Sequence, residues 1–93
     1  PKFLGDRYDA HAWIASESEG AAERFQDSID ATIERLKDFP MTGTPQEQLA
    51  AGLRSIRVRP FPYLIFYRVT EDAIVLVRLL HGARALKRQD YRP

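Results

Sequence analysis

The first half of the chain has the hydrophobic spacing of two helices. In residues 2–16 the apolar positions that can share one helical face are Phe3, Ala10, Trp13 and Ile14. Residues 20–39 carry a longer stripe at helical spacing, formed by Ala22, Phe25, Ile29, Ile33 and Leu36. The short segment "SESEG" separates the two helices, and Pro40 prevents the second from continuing. The pattern therefore predicts an antiparallel helix hairpin over residues 2–39.

The second half changes to the two-residue period of β-strands. Residues 40–52 contain two prolines and two glycines and are predicted to be an irregular connection. Ile56 and Val58 then alternate with polar residues, and "YLIFYRV" and "AIVLVRLLH" follow as strands joined by a "TEDA" turn. We predict an antiparallel sheet within residues 53–81 and a basic tail over residues 82–93. All 93 residues should form one α+β domain, with the hairpin packed on the sheet.

Strict alternation gives the predicted sheet two apolar faces. In the middle strand one face carries Tyr63, Ile65 and Tyr67, and the other carries Leu64 and Phe66. In the last strand one face carries Ile74, Leu76 and Leu80, and the other carries Val75, Val77 and Leu79. Two helices can cover only one face, so part of the second face is expected to be exposed and to bind a partner.

Two arginines lie within these apolar strands. Alternation places Arg68 on the face of Phe66 and Arg78 on the face of Leu76. Either side chain can lay its methylenes over apolar neighbours while its guanidinium binds a carboxylate or a phosphate. We expect an acidic residue of the hairpin to hold Arg78, and we expect Arg68 to meet a partner.

Charge is divided unevenly along the chain. Residues 1–52 carry five Lys/Arg against ten Asp/Glu, a net charge of −5, whereas residues 53–93 carry nine against three, a net charge of +6. This asymmetry favours a polyanion or an acidic surface as partner, although the two halves could also neutralise each other within the fold.

The sequence has no cysteine, no apolar segment of about 18 residues and no secretory signal, so a cytoplasmic location is expected.

Few catalytic motifs are available. His11 and His81 are far apart, neither has an acidic pair at ligand spacing, and no Gly-rich phosphate loop occurs, so we expect no metal and no cofactor. RNA cleavage by the RNA's own 2′-OH needs only a base, an acid and cations. The residues that could supply them are His81, Arg57, Arg59, Arg84 and Tyr91. The alternative for His81 is a strand-end imidazole hydrogen-bonded to the backbone.

Four segments, in order, resemble the RelE/ParE toxin superfamily, and its ParE branch best: "ATIERLKDFPMTG", "GLRSI", "YLIFYRV" and "LLHGAR". The resemblance, which extends from Pro1 to about Arg84, implies a toxin of a bacterial type II toxin–antitoxin pair that inhibits DNA gyrase. It also implies a ParD-like antitoxin whose C-terminal segment wraps around the toxin. RelE-like members instead cut mRNA on the ribosome, and an inactive antitoxin-binding homologue is a third alternative.

Two departures from the family pattern bear on the fold and the tail. Members usually open with a short strand that ends in Ser-Pro, and this chain begins at that Pro, so three or four strands are expected. The family's "HGxRD" is "HGARA" here, with Ala85 where Asp is usual. An Arg84–Asp contact that could fix the tail is therefore not expected.

The resemblance and the strand pattern together assign two surfaces. For the antitoxin we predict Leu64, Phe66, Arg68, Val75 and Val77. For the target we predict the tail residues Arg84, Lys87, Arg88, Tyr91 and Arg92.

Overall fold

The helix hairpin forms as predicted, with a shorter turn. The computed structural model describes residues 2–85 and 89–92. Helix α1 spans Lys2–Glu17 and α2 spans Glu19–Asp38, so Ser18 alone separates them. Ser18 is extended, and its Oγ accepts a hydrogen bond from the Ala21 N–H at 3.1 Å, which caps α2. No helix within the described ranges is long and apolar enough to cross a membrane.

Four antiparallel strands follow in the spatial order β1-β2-β3-β4, which confirms the α+β fold. Their bounds are β1 Thr44–Pro45, β2 Arg54–Arg57, β3 Tyr63–Val69 and β4 Ile74–His81, with a 3₁₀ helix at Pro40–Thr42 and a short helix α3 at Gly82–Ala85. The connection predicted to be irregular supplies β1, because Thr44 pairs opposite Ser55.

A β-bulge changes the predicted faces of β4. Phe66 pairs opposite Arg78 and Tyr67 opposite Leu76, so Val77 is an extra residue on β4. Beyond it the alternation is displaced by one position, and every later side chain changes face. Leu79 consequently packs on the hairpin side of the sheet and Leu80 on the opposite side. Strict alternation was wrong for these two residues and for Arg78.

The main core lies between the hairpin and one face of the sheet. Its buried members are Phe3, Ala10, Phe25, Ile29, Leu36, Val58, Tyr63, Ile65, Tyr67 and Leu79. The stripe predicted for α2 is confirmed, with Ile33 partly buried at its edge. Trp13 was wrongly placed in the core and is 69% exposed. It lies about 100° around α1 from the partly buried Ile14, which takes the inward position.

The second face of the sheet is covered by the chain itself. Leu53, from the loop before β2, and Ala85 and Tyr91, which follow β4, pack against Phe66 and Val77. Phe66 is 1% exposed and Val77 is fully buried, so the expected open apolar face is largely closed. The prediction of a partly exposed face is right for Leu64 and Val75, whereas Ala85 and Tyr91 cover much of the rest.

Candidate functional site

The C-terminal segment over residues 89–92 is held against the second face by two arginines. Arg68 Nη1 donates to the Tyr91 carbonyl at 2.9 Å, and its Nε donates to the Ala51 carbonyl at 3.0 Å. Arg78 Nη1 donates to the Asp90 carbonyl at 3.0 Å. Arg68, expected to meet a partner, thus binds the chain's own backbone.

Arg78 also joins the sheet to the hairpin. Its Nε and Nη2 donate to the two carboxylate oxygens of Asp6 at 2.6 and 3.0 Å, and the Leu79 N–H donates to the same carboxylate at 3.0 Å. The Arg78 and Asp6 side chains are only 12% and 15% exposed, and the hydrogen bond between them raises the pKa of the guanidinium. The predicted pairing of Arg78 with an acid of the hairpin is confirmed.

Asp90 anchors the end of the tail. Its carboxylate accepts hydrogen bonds from the Arg92 N–H, Nε and Nη2, each at 3.0 Å, and lies 3.4 Å from Lys2 Nζ. The side-chain hydrogen bond from Arg92 is the largest of the effects that hold the pKa of the Asp90 carboxyl well below its usual range. Arg92 remains 85% exposed at its side chain.

His81 lies in a cleft of about 450 Å³ between α1 and the end of β4, which Trp13, Tyr63 and Arg84 also line. Its ring meets Tyr63 edge-on at 5.3 Å, and its Nδ1 accepts a hydrogen bond from the Ala83 N–H at 3.1 Å. Burial raises the pKa of the Tyr63 hydroxyl, and the charge of Arg84 opposes that shift in part. His81 is therefore the backbone-bonded imidazole of the alternative interpretation.

The residues proposed for RNA cleavage do not line one cleft. His81 pairs opposite Tyr63 on the hairpin face, whereas Arg57 pairs opposite Leu64 on the other face. Arg59 lies past the end of β2. Tyr91 is 7% exposed, and its buried hydroxyl has no hydrogen-bond partner within the described residues.

The residues predicted to bind the antitoxin do come together on one face. Arg68 pairs opposite Val75, Leu64 pairs opposite Leu80, and Phe66 and Val77 belong to the second apolar cluster. Leu64, Val75 and Arg68 are partly exposed, and the other two are buried beneath the tail. The sequence analysis named Tyr91 but missed its packing on the sheet. Its ring lies 5.0 Å from the ring of Phe66, and an aromatic residue within a charged tail was the available signal.

The residues predicted to contact the target differ in their exposure. Arg84 and Arg92 are exposed, whereas Tyr91 faces inward. Lys87 and Arg88 lie outside the described residues. Ala85, where the family usually has Asp, is buried in the second cluster. An Asp at position 85 is therefore not needed to fix the tail. Arg68 and Arg78 bind its backbone, and Asp90 accepts a hydrogen bond from Arg92 within it.

Comparison with known proteins agrees with this fold. Residues 1–86 match the model of a family described as the ParE toxin of the type II toxin–antitoxin system parDE. The chain belongs to the ParE toxin family, which confirms the resemblance read from the sequence.

Three relatives lie within this family. Toxin ParE3 of Caulobacter vibrioides is 34% identical over 61 residues, which cover 66% of this chain and 59% of that protein. Toxin ParE2 of Mycobacterium tuberculosis is 30% identical over 78 residues, which cover 83% of this chain and 71% of that protein. Toxin ParE1 of Caulobacter vibrioides is 35% identical over 72 residues, which cover 74% of this chain and 72% of that protein.

Proposed function

We propose that the chain inhibits DNA gyrase by direct protein contact and is neutralised by a ParD-like antitoxin in the cytoplasm. One observation carries the choice of a binding mechanism over RNA cleavage. His81 and Arg57 are on opposite faces of the sheet, and the Tyr91 hydroxyl is buried, so a base, an acid and cations do not converge on one phosphate.

The proposed gyrase contact is the exposed basic surface formed by residues that follow β4. Arg84 and Arg92 supply its described cations, and Lys87 and Arg88 are its further candidates. Tyr91 acts differently, because its ring packs on Phe66 and positions the segment. Such a surface would attract an acidic patch on the target and fix its orientation.

The proposed antitoxin surface is the second face of the sheet. Leu64 and Val75 offer an accessible start, whereas Phe66 and Val77 become available only when the tail moves. We infer that the antitoxin segment takes the place of residues 89–92, and Arg68 exchanges the Tyr91 carbonyl for an antitoxin carboxylate. Neutralisation then follows because Arg92, one of the residues proposed to contact gyrase, leaves its position with this segment.

The test is a supercoiling assay with purified gyrase beside ribosome-programmed mRNA cleavage, using one antitoxin-free preparation. We expect loss of supercoiling with intact mRNA, and Arg84→Ala should weaken inhibition whereas Arg24→Ala, an exposed arginine on α2, should not. Cleaved mRNA with unaffected gyrase would instead establish an interferase. Silence in both assays, with antitoxin binding retained, would identify an inactive homologue.

A further inference from the structure

A cationic cleft of about 490 Å³ lies between α2 and the outer edge of the sheet. Arg35 enters it from the helix, and Arg57 and Arg59 enter it from the end of β2. The hydroxyl-bearing residues that also line it are Ser28, Thr32, Thr42, Thr44 and Ser55. The described residues that line this cleft include no Asp or Glu, so it carries a concentrated positive charge.

The three guanidinium groups of this cleft keep most of their donors available. Among the described residues, the ion pairs of arginine are made by Arg7, Arg78 and Arg92, all outside the cleft. The hydrogen bond recorded for the cleft arginines joins Arg57 Nε to the Phe61 carbonyl at 3.1 Å. All three arginines are exposed, so a ligand can reach them.

The backbone of β2 is also open at this cleft. The Gln46 N–H donates to the Leu53 carbonyl at 2.7 Å on the β1 side, and the Val58 N–H donates to the Tyr63 carbonyl at 2.9 Å on the β3 side. Successive residues of an antiparallel strand direct their backbone groups to opposite sides. Arg57 therefore points its N–H and C=O outward, and β1, only Thr44–Pro45, ends before reaching it.

We propose that this edge binds an extended acidic peptide segment of a partner protein. The segment pairs with the backbone of Arg57 as an added strand and places carboxylates beside Arg35, Arg57 and Arg59. A peptide matches the edge better than a nucleic acid does, because Arg57 offers a donor and an acceptor and a phosphate backbone can use only the donor. The site lies at the β2 edge, where Leu64 of the second face also lines it, and it does not depend on gyrase inhibition.

The first experiment measures fluorescence anisotropy of a labelled ten-residue peptide that alternates Glu and Val. Arg35→Gln, Arg57→Gln and Arg59→Gln should each weaken binding about threefold to fivefold, as expected for an exposed charge pair. Arg24→Gln, which removes an equally exposed arginine from α2, is the matched control and should leave affinity unchanged. An equal loss in the control would overturn the proposal, because the peptide would then respond only to overall charge.

The second experiment tests strand addition. A version of the peptide with alternate backbone amides N-methylated should bind far more weakly, since it cannot donate to the Arg57 carbonyl. Hydrogen exchange at the Arg57 N–H should slow when the unmodified peptide binds. If neither effect is seen, or if a single-stranded ten-nucleotide RNA binds and the peptide does not, the assignment to an acidic peptide is wrong.

Discussion

At the scale of single residues, the hydroxyl of Tyr67 connects the 3₁₀ helix to the centre of the sheet. It accepts a hydrogen bond from the Gly43 N–H at 2.9 Å and donates one to the Pro40 carbonyl at 2.8 Å. Gly43 has no space for a Cβ, which would lie 2.8 Å from the Ser55 carbonyl and closer still to Tyr67 Oη. The two residues therefore depend on each other, and together they position β1.

Tyr67→Phe should destabilise the fold. The change leaves the buried Gly43 N–H without an acceptor, which costs about 1–3 kcal/mol in the free energy of unfolding. Urea denaturation followed by circular dichroism measures the loss. Tyr8→Phe, at a position 73% exposed, is the matched control and should change stability little. Equal effects in the two variants would show that the Tyr67 hydroxyl bonds are not important for stability.

Asp6→Asn should also be costly, because it leaves the largely buried Arg78 without its carboxylate. Removing one partner of such a pair costs about 3 kcal/mol of unfolding free energy. The control is Asp30→Asn, which removes the exposed ion pair with Arg7 and should cost less than about 1 kcal/mol. Chemical denaturation compares the two, and a small loss for Asp6→Asn would mean that the hairpin does not need this pair.

At the scale of elements, regular periodicity made α2 and the three longer strands predictable. The bulge was not predictable, because residues 75–80 are apolar except for Arg78 and give no sign of an extra residue. Thr44–Pro45 was too short to show a strand period. The tail was predicted to be a basic, target-binding segment, and its packing on the sheet was not predicted because its charged residues outnumber Tyr91. One aromatic ring is nevertheless enough to attach it to the sheet.

The attachment of the tail should weaken in acid. Its anchor Asp90 has a pKa lowered by hydrogen bonds from Arg92, so its contribution is complete above the ordinary carboxyl pKa of about 3.9 and is lost as pH falls further. The NMR chemical shift of the Arg92 N–H, which donates to this carboxylate, should change only well below a pH of about 4, because the pKa of the carboxyl is lowered. Asp90→Asn should abolish that transition, and a transition that persists in the variant would identify another group.

At the scale of the whole molecule, the acidic hairpin and the basic sheet do not simply neutralise each other. Among the described residues, Asp6 and Arg78 form the ion pair that joins the hairpin to the strands. Two groups of exposed basic residues lie apart from this pair: Arg84 and Arg92 after β4, and Arg35, Arg57 and Arg59 at the cleft beside β2. The uneven charge predicted from the sequence is therefore kept at the surface, in agreement with the acidic partners proposed above.

Tyr91→Ala provides the whole-molecule test of tail displacement. The substitution removes the ring that covers Phe66, so an antitoxin segment no longer displaces a packed aromatic side chain whose burial contributes about 1.5–3 kcal/mol. Affinity for the C-terminal segment of a ParD-like antitoxin should increase at least about tenfold, while gyrase inhibition decreases. Tyr8→Ala should change neither quantity, because that residue lies on the exposed side of α1. Weaker antitoxin binding by a folded Tyr91→Ala protein would mean that Tyr91 is part of the antitoxin contact and that the tail stays in place when the antitoxin binds.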